Sequence, residues 1–418
     1  MTFSTTQCKV LLFTASVLAI GLLAGCGGLG DNRPDVTVRS NDLVVVTSAP
    51  LSGDQKASGE AMVNGERLAL AQAQGMVGQF TVSLEVFNSV QSQQRRWSTI
   101  QVAANAALAI QELHVVAYIG ESDSAATAVS LPLTNQGGIL QIAPTNSYGG
   151  FTSARFAPAD EPRRYYPTGR SNFGRLAPSQ LREALAQARL QQHQKCTSTY
   201  IIGADSSQGQ TAVRSLQAAL TQASIRSAGT VAFGAPGSSP ARTLARVRSS
   251  GANCVFYGGP ANSEAARLLN ALKAGLPALQ LFAGRNGIDP SLTRNLTTKA
   301  QDATLMTSPG PDPNRLNPLG TKVAALYRAQ FGKAITSDAL YGYEAMSAVL
   351  DSIRRAGGAG NNRDSIIAAF HSTRAKPSVL GRYSVDANGD SSLTGFVVSR
   401  VIRGALVASP GLTAAISR

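Results

Sequence analysis

"VVAYIGESDSAATAVSLPLTNQGGILQIAP", Val115 to Pro144, decides how this chain is read. "VVAYIG" (Val115 to Gly120) is a short apolar run of strand character, and "ILQIAP" (Ile139 to Pro144) is a second. Between them Ser124 to Asn135 has the length and composition of a helix. The rhythm continues upstream. "LVVVTS" (Leu43 to Ser48) predicts a strand ending in the turn-rich Ala49 to Gly53, and a helix is expected over 58–73. "FTVSLEVF" (Phe80 to Phe87) is the next strand. Ser98 then has the character of an N-cap for a helix with Ile100, Ala103, Ala107 and Ile110 on one face.

Downstream the same alternation returns. "TYIIGAD" (Thr199 to Asp205) precedes a helix whose face carries Val213, Leu216, Leu220 and Ala223. "TVAF", a helix over 241–248, "CVFYGG", a helix marked by Ala265, Leu268, Leu269 and Leu272, and "LQLFAG" follow in order. Further helices are expected over 318–331 and 337–356, and a β-rich stretch over 379–407. Buried strands alternating with helices imply α/β architecture, with parallel sheets covered by helices on both faces. Two such series imply two lobes. Open sheets of this kind bind ligands at the carboxyl ends of their strands, and a cleft between lobes is a favoured ligand site.

The N-terminus reads differently. Lys9 precedes an almost continuous apolar run from Val10 to Leu23, too short for a membrane span, which needs about 20 residues. A charged start, a short apolar core and small residues at the end make a secretory signal. Leu23, Ala24, Gly25 and Cys26 resemble the lipobox of bacterial lipoproteins. That resemblance implies cleavage before Cys26 and lipidation of its thiol. The protein is then expected at the outer face of the cytoplasmic membrane or in the periplasm, with the tether over 26–42 between lipid and fold.

The chain has 418 residues, 43% hydrophobic and only 15% charged, which fits a globular protein with room for two cores. Its net charge of +14 favours anionic headgroups, wall polymers or acidic ligands. The arginines are scattered and no run of five appears, so no nucleic-acid partner is expected. Of four cysteines, Cys8 lies in the signal and Cys26 in the lipobox. Cys196 and Cys254 remain, and outside the cytoplasm such a pair reads as a disulfide, with two buried free thiols as the alternative.

"SAPLSGDQKASGEAMVNGERLAL", "AYIGESDSAATAVSLPLTNQGGILQIAPTNS", "VFYGG", "SDALYGYEAMSAVLDSIRRAG" and "GRYSVDANGDSSLTGFVV" occur in that order. Together they resemble the type I periplasmic solute-binding proteins of branched-chain amino-acid ABC transporters. The resemblance covers roughly 43–407. It implies two Rossmann-like lobes, three hinge crossings and a ligand held between the lobes. The division expected is 1–25 signal, 43–175 and 308–373 lobe one, and 176–307 and 374–418 lobe two.

The resemblance also nominates residues. "GESDSAAT" lies where a strand gives way to a helix, whose free N–H groups suit a carboxylate. Ser124 matches the serine that contacts the ligand carboxylate, although Ser122, Asp123 or Ser124 could equally serve as an N-cap. In "APTNSYGG", Asn146 and Ser147 match positions that contact the ligand, and Tyr148 could wall the pocket; a polar turn held by Asn and Ser is the competing reading. Elsewhere the pattern departs. Ser58 replaces an aromatic, Gln208 replaces a tyrosine, Pro260 or Ala261 another, and Asn286 stands where the family has the acid that pairs with the ligand's ammonium. Arg285 stands beside it, and arginine holds carboxylates bidentately. Each change removes apolar wall or charge that an aliphatic amino acid would use.

Other chemistry is sparse. His114, His193 and His371 are far apart, and no C-x-x-C, H-E-x-x-H or Walker A pattern occurs. "DANGD" (Asp386 to Asp390) lacks the ligand spacing of an EF-hand and reads as an Asn-Gly turn. No catalytic residues, metal or cofactor are expected. The expectation is a monomeric, lipid-anchored receptor that delivers a small polar ligand to an ABC permease. A sensor or envelope interaction lipoprotein on the same fold is the alternative.

Overall fold

The computed structural model describes residues 36–234, 239–285 and 290–416. Cys26, the signal and Asn286 lie outside the described residues. The first sheet contains β1 (Asp42–Ala49), β2 (Met76–Val77), β3 (Phe80–Asn88), β4 (Val115–Ile119), β5 (Leu140–Ala143) and β6 (Phe173–Arg175), in the order β2-β3-β1-β4-β5-β6. All neighbours are parallel except β2 with β3. Helices α1 (Lys56–Gln72), α2 (Thr99–Gln111) and α3 (Ser124–Gln136) connect these strands.

The second sheet contains β7 (Ser198–Ala204), β8 (Arg226–Phe233), β9 (Cys254–Gly258), β10 (Gln280–Ala283), β11 (Thr304–Pro309), β12 (Phe396–Ile402) and β13 (Ala405–Ala408). Its order is β13-β12-β11-β10-β9-β7-β8, parallel from β8 to β11 and antiparallel beyond. Around it run α4 (Gln180–His193), α5 (Ser207–Gln222), α6 (Pro240–Ser250), α7 (Ser263–Gly275), α8 (Pro290–Thr293), α9 (Thr298–Ala303) and α13 (Pro410–Ile416). The helices α10 (Pro318–Phe331), α11 (Ser337–Ala356) and α12 (Arg363–His371) follow β11 in sequence.

The chain therefore passes between sheets after β6, after β11 and before β12. On its middle return α11 enters the first core, where Tyr341, Ala345, Met346 and Val349 pack against strand residues Val45, Val116 and Ile119. Tyr383, Val385 and Leu393 belong to the same core, although they follow position 373, where the sequence expectation passes the chain to the second lobe. Close approach of α1 and α11 rests on two glycines. A Cβ on Gly65 would stand 2.0 Å from the Ala339 carbonyl oxygen, and one on Gly342 would stand 2.1 Å from that of Met62. Any larger residue at either position would push the helices apart.

One predicted face is corrected. On α2 the buried residues are Val102, Asn105, Ala106 and Ala109, and Ile100 is 73% exposed. The rotation follows from Asn105, whose amide donates to the Ser48 hydroxyl at 3.0 Å and to the Asn88 carbonyl at 3.0 Å. Two satisfied polar contacts outweigh burial of the longer side chain at a helix start. The expected β-rich stretch is also shorter than 379–407, because ladders begin only at Phe396. Ahead of them "DANGD" closes a turn in which the Asp386 carboxylate accepts from the amides of Asn388 and Asp390 at 2.9 and 3.0 Å. Cys196 and Cys254 are joined, with Cα atoms 5.9 Å apart, before β7 and at the start of β9.

Candidate functional site

The two sheets meet at strand ends. β5 runs out through Pro144 and Thr145, and β10 through Gly284 and Arg285. The Arg285 guanidinium crosses the gap and donates to the Thr145 carbonyl. Its own amide donates to Glu183 Oε1 at 2.8 Å, and the Thr307 hydroxyl reaches the same oxygen at 3.4 Å. Burial pushes the Glu183 carboxyl up, while the amide and charge of Arg285 oppose that shift.

On the first lobe the strand ends are knitted by short polar links. Thr145 Oγ1 donates to the Ser122 carbonyl at 3.3 Å, and the Asn146 amide donates to Thr127 Oγ1 at 2.9 Å. Asn146 is 2% exposed, yet its Oδ1 has no partner among the described residues. Ser124 is the first residue of α3 but not its cap. Asp123 caps the helix, accepting from the amides of Ala125 and Ala126 at 2.7 and 3.3 Å. A carboxylate of the protein itself thus already occupies the helix end to which the sequence assigned a ligand carboxylate.

The remaining predicted residues lie to one side. The Ser147 carbonyl accepts from the Gln180 amide at 2.7 Å, and the Gln180 side chain donates to the Gln208 carbonyl at 3.4 Å, a chain of contacts spanning the first crossing. Tyr148 is fully buried, donates to Glu161 and meets the Phe151 ring edge-on at 5.1 Å, so it fills an aromatic core and does not face the gap. Arg285, Thr145, Asn146, Thr127 and the Ser122–Ser124 turn are brought together; Tyr148 is not. The first lobe also clasps the second lower down, where the Phe156 carbonyl accepts from Thr211 Oγ1 at 3.0 Å and Arg214 Nε at 2.9 Å.

Sequence reasoning missed two buried acids beneath this end of the sheet. Glu121 accepts from the Tyr118 hydroxyl at 2.6 Å and the Ser48 hydroxyl at 3.1 Å. Glu66 accepts from Thr47 at 3.2 Å, and among the described residues its other oxygen has no partner. Burial pushes each up to about 8, against the opposing pull of those hydroxyls. At neutral pH both are therefore mostly protonated, which explains how they lie buried with no ion-paired cation among the described residues. For Glu121 the available signal was an acid just past the end of a fully apolar strand, in "YIGES"; Glu66, inside α1, carried none.

Residues 45–403 match the periplasmic binding protein family. The chain belongs to that family. Among curated relatives, the Leu/Ile/Val-binding protein homolog 1 of Brucella suis biovar 1 is 29% identical over 163 residues, 39% of this chain and 42% of the relative. The chain thus spans under half the length of that relative in the match. Solved structures extend the likeness to the whole fold. The leucine binding protein LivK of Thermotoga maritima superposes with a TM-score of 0.70 at 20% identity, covering 88% of this chain and 97% of that one. A solute binding protein of Rhodopseudomonas palustris HaA2, in complex with p-hydroxybenzoic acid, gives 0.70 at 16% identity, with 88% and 95% covered. The sheets of this binding protein therefore form the type I periplasmic binding fold, with two lobes of mostly parallel strands flanked by helices. The family is one of extracytoplasmic small-molecule receptors. Among the described residues no helix is long and apolar enough to cross a membrane.

Proposed function

We propose that this periplasmic binding protein captures a small polar ligand bearing a carboxylate between its lobes and presents it to an ABC permease. The observation that carries the reading is the Arg285 guanidinium, the fixed cation at the meeting of the two strand ends, spending one donor on a neutral carbonyl. Arginine has five donors in a planar fork, so a carboxylate can displace or share that contact at a gain. The structural neighbours named for leucine and for p-hydroxybenzoic acid have a carboxylate-bearing ligand in common. Ligand would favour the closed arrangement of the lobes about the three crossings. Lipidation at Cys26 would hold this receptor at the outer face of the membrane. A sensor that keeps the fold without serving a permease is the second reading, and the basic surface of +14 is compatible with an envelope partner.

The test is a thermal-shift and calorimetric panel of leucine, isoleucine, valine, benzoate, 4-hydroxybenzoate and short dicarboxylates on the purified chain. A ligand at a hundred times its dissociation constant should add about 2.7 kcal/mol of stability. Arg285→Ala should weaken the binding carboxylate by about 2 kcal/mol or more, the scale of a lost charge-assisted pair. Tight binding of an aliphatic amino acid that survives Arg285→Ala would sink the reading. Cys26→Ser should release the protein from membranes or leave it unprocessed.

A further inference from the structure

We infer that the outer face of α2 and α3 docks a second copy of this chain, so that the binding protein pairs through its first lobe. The inference does not draw on the carboxylate reading, and it replaces the monomer expected from the sequence.

Composition sets this face apart. Neither α2, TIQVAANAALAIQ, nor α3, SAATAVSLPLTNQ, contains an ionisable side chain, although the chain carries a net charge of +14. Every other α-helix of nine residues or more among the described residues has at least one. The two helices pack side by side. They join β3 to β4 and β4 to β5, both in the same direction along the first sheet, and right-handed crossovers put them on one face of it. Inward they bury Val102, Ala106 and Leu131. Outward stand Leu113, Ile100 and Leu108, at 78, 73 and 53% the most exposed large apolar side chains among the described residues. All three lie on α2 or just past its end. Such residues scattered singly are ordinary; gathered on one uncharged face they mark an interaction surface.

Charge and pattern fit that surface to a copy of itself. With a net charge of +14, two copies repel over most of their surface, whereas here no like charges are brought together. An acidic partner would instead be drawn to the arginines elsewhere. Ile100, exposed Ala104 and Leu108 follow one another at intervals of four and form a single ridge along α2, a small residue between two large ones. Turned about a two-fold axis at Ala104, that ridge is its own complement: Ile100 meets Leu108 of the partner subunit, and the helices approach over alanine. Entry of the chain leaves the contact clear. Val36 packs by Gly138, just past the end of α3, and the axis sets the two entry points on opposite sides of the pair. A 13-residue helix is about 20 Å long, so two side by side present about 400 Å², and a pair buries about 800 Å² in all. Stable complexes bury roughly 1,200 Å² or more, so this pairing is reversible, half-formed at roughly 10–100 μM.

Two measurements on the purified full chain test the pairing. Ala104→Cys places a thiol beside the axis. Under mild oxidation it should form disulfide-linked dimer about tenfold faster or more than the parent, or than Arg246→Cys on α6 of the second lobe. Sedimentation equilibrium from about 1 to about 200 μM should show the parent rising toward the mass of two copies. Leu108→Lys should weaken that association about tenfold or more, because pairing would bury an ammonium without a partner. An unchanged melting temperature of Leu108→Lys shows that its fold is intact. If Ala104→Cys oxidises no faster than Arg246→Cys, or the parent keeps the mass of one copy throughout, the inference falls. It falls also if Leu108→Lys leaves the association unchanged, because the copies then meet elsewhere. A chain of single-copy mass that Leu108→Lys releases from phosphatidylglycerol vesicles would overturn it too, since the face then belongs to a bilayer.

Discussion

The two sheets end differently at the cleft. Under the first lie Glu66 and Glu121, buried acids held by hydroxyls, with Asp123 and Asp338 nearer the surface. The second presents Arg285, with Glu183 held behind it by the Arg285 amide. Acidic groups thus gather at the strand ends of one lobe, and a fixed cation stands at those of the other. At the Arg175 and Glu344 clusters the pattern is reversed, because there the acid has its cation. Arg175 is fully buried and donates to Asp390 at 2.6 and 3.0 Å and to Thr152 at 2.8 Å; Glu344 accepts from Lys376 at 2.5 Å and Tyr383 at 2.9 Å. Compensated charges thus lie in the framework, whereas the acids held only by hydroxyls lie at the strand ends of the first sheet. That difference can be broken or sharpened by substitution.

The largest effect is expected at the crossings. Asp390→Ala removes the acid from Arg175 and leaves a buried guanidinium without its carboxylate, a change that costs about 3–5 kcal/mol in comparable settings. Equilibrium urea unfolding should show that loss of stability. A change below about 1 kcal/mol would mean the Arg175 cluster is not a structural lock. Next comes the staple of the second lobe. The Cys196–Cys254 bond closes a separation of 58 residues, for which chain entropy gives about 4 kcal/mol. The Cys196→Ser/Cys254→Ser double variant should lose about 2–4 kcal/mol, read as a lower unfolding midpoint that added reductant does not lower further.

The framework was largely legible in the sequence because periodicity reports burial. Strands such as Val115–Ile119 are buried along their whole length, and the helices at Pro318–Phe331 and Ser337–Ala356 stand where the sequence pattern put them. The candidate site was legible only in part. Arg285 was visible because it follows a strand end, and Asn146 through the family resemblance. The Asp338–Ser58 contact was not, since it joins residues 280 apart in sequence, which local pattern does not encode. The α2 face was misjudged for a related reason. Hydropathy ranks Ile100 above Asn105, but the hydrogen bonds that draw Asn105 inward come from β1 and β3. Tyr148 was misread because an aromatic beside a polar turn serves a core or a pocket equally well.

The acids without cations give a third, pH-dependent test. Glu66 and Glu121 have folded values raised from 4.5 to about 8. Below 4.5 both states carry the proton and the stabilisation is fully present; as pH rises from there toward 8 the unfolded chain ionises first and stability falls. Each acid contributes a slope of about 1.4 kcal/mol per pH unit within that window. Glu121→Gln should reduce the fall in melting temperature between pH 5 and 7.5, the remainder coming from Glu66 and from Glu183 and Glu344, whose carboxyls burial also raises. Identical pH profiles for parent and variant would show that Glu121 is ionised in the folded protein.

The smallest effect expected is at Asp123, and it decides where the ligand's carboxylate sits. Two seats compete: the N-terminus of α3, to which the sequence assigned it through Ser124, and the guanidinium of Arg285. The Asp123 carboxylate already accepts from the amides of Ala125 and Ala126. An incoming carboxylate at that end would have to displace it and would meet like charge while doing so. Asp123→Ser keeps a good capping side chain and removes the charge, so stability should change by less than about 1 kcal/mol. If Arg285 is the seat, the variant removes only a partly screened charge at a distance, and a bound carboxylate such as 4-hydroxybenzoate should tighten about threefold at most. If the helix end is the seat, competitor and repulsion vanish together and affinity should rise about tenfold or more. Calorimetry of one carboxylate on the parent, Asp123→Ser and Arg285→Ala separates the two, because only the Arg285 seat predicts a large loss in the last variant beside a small gain in the first.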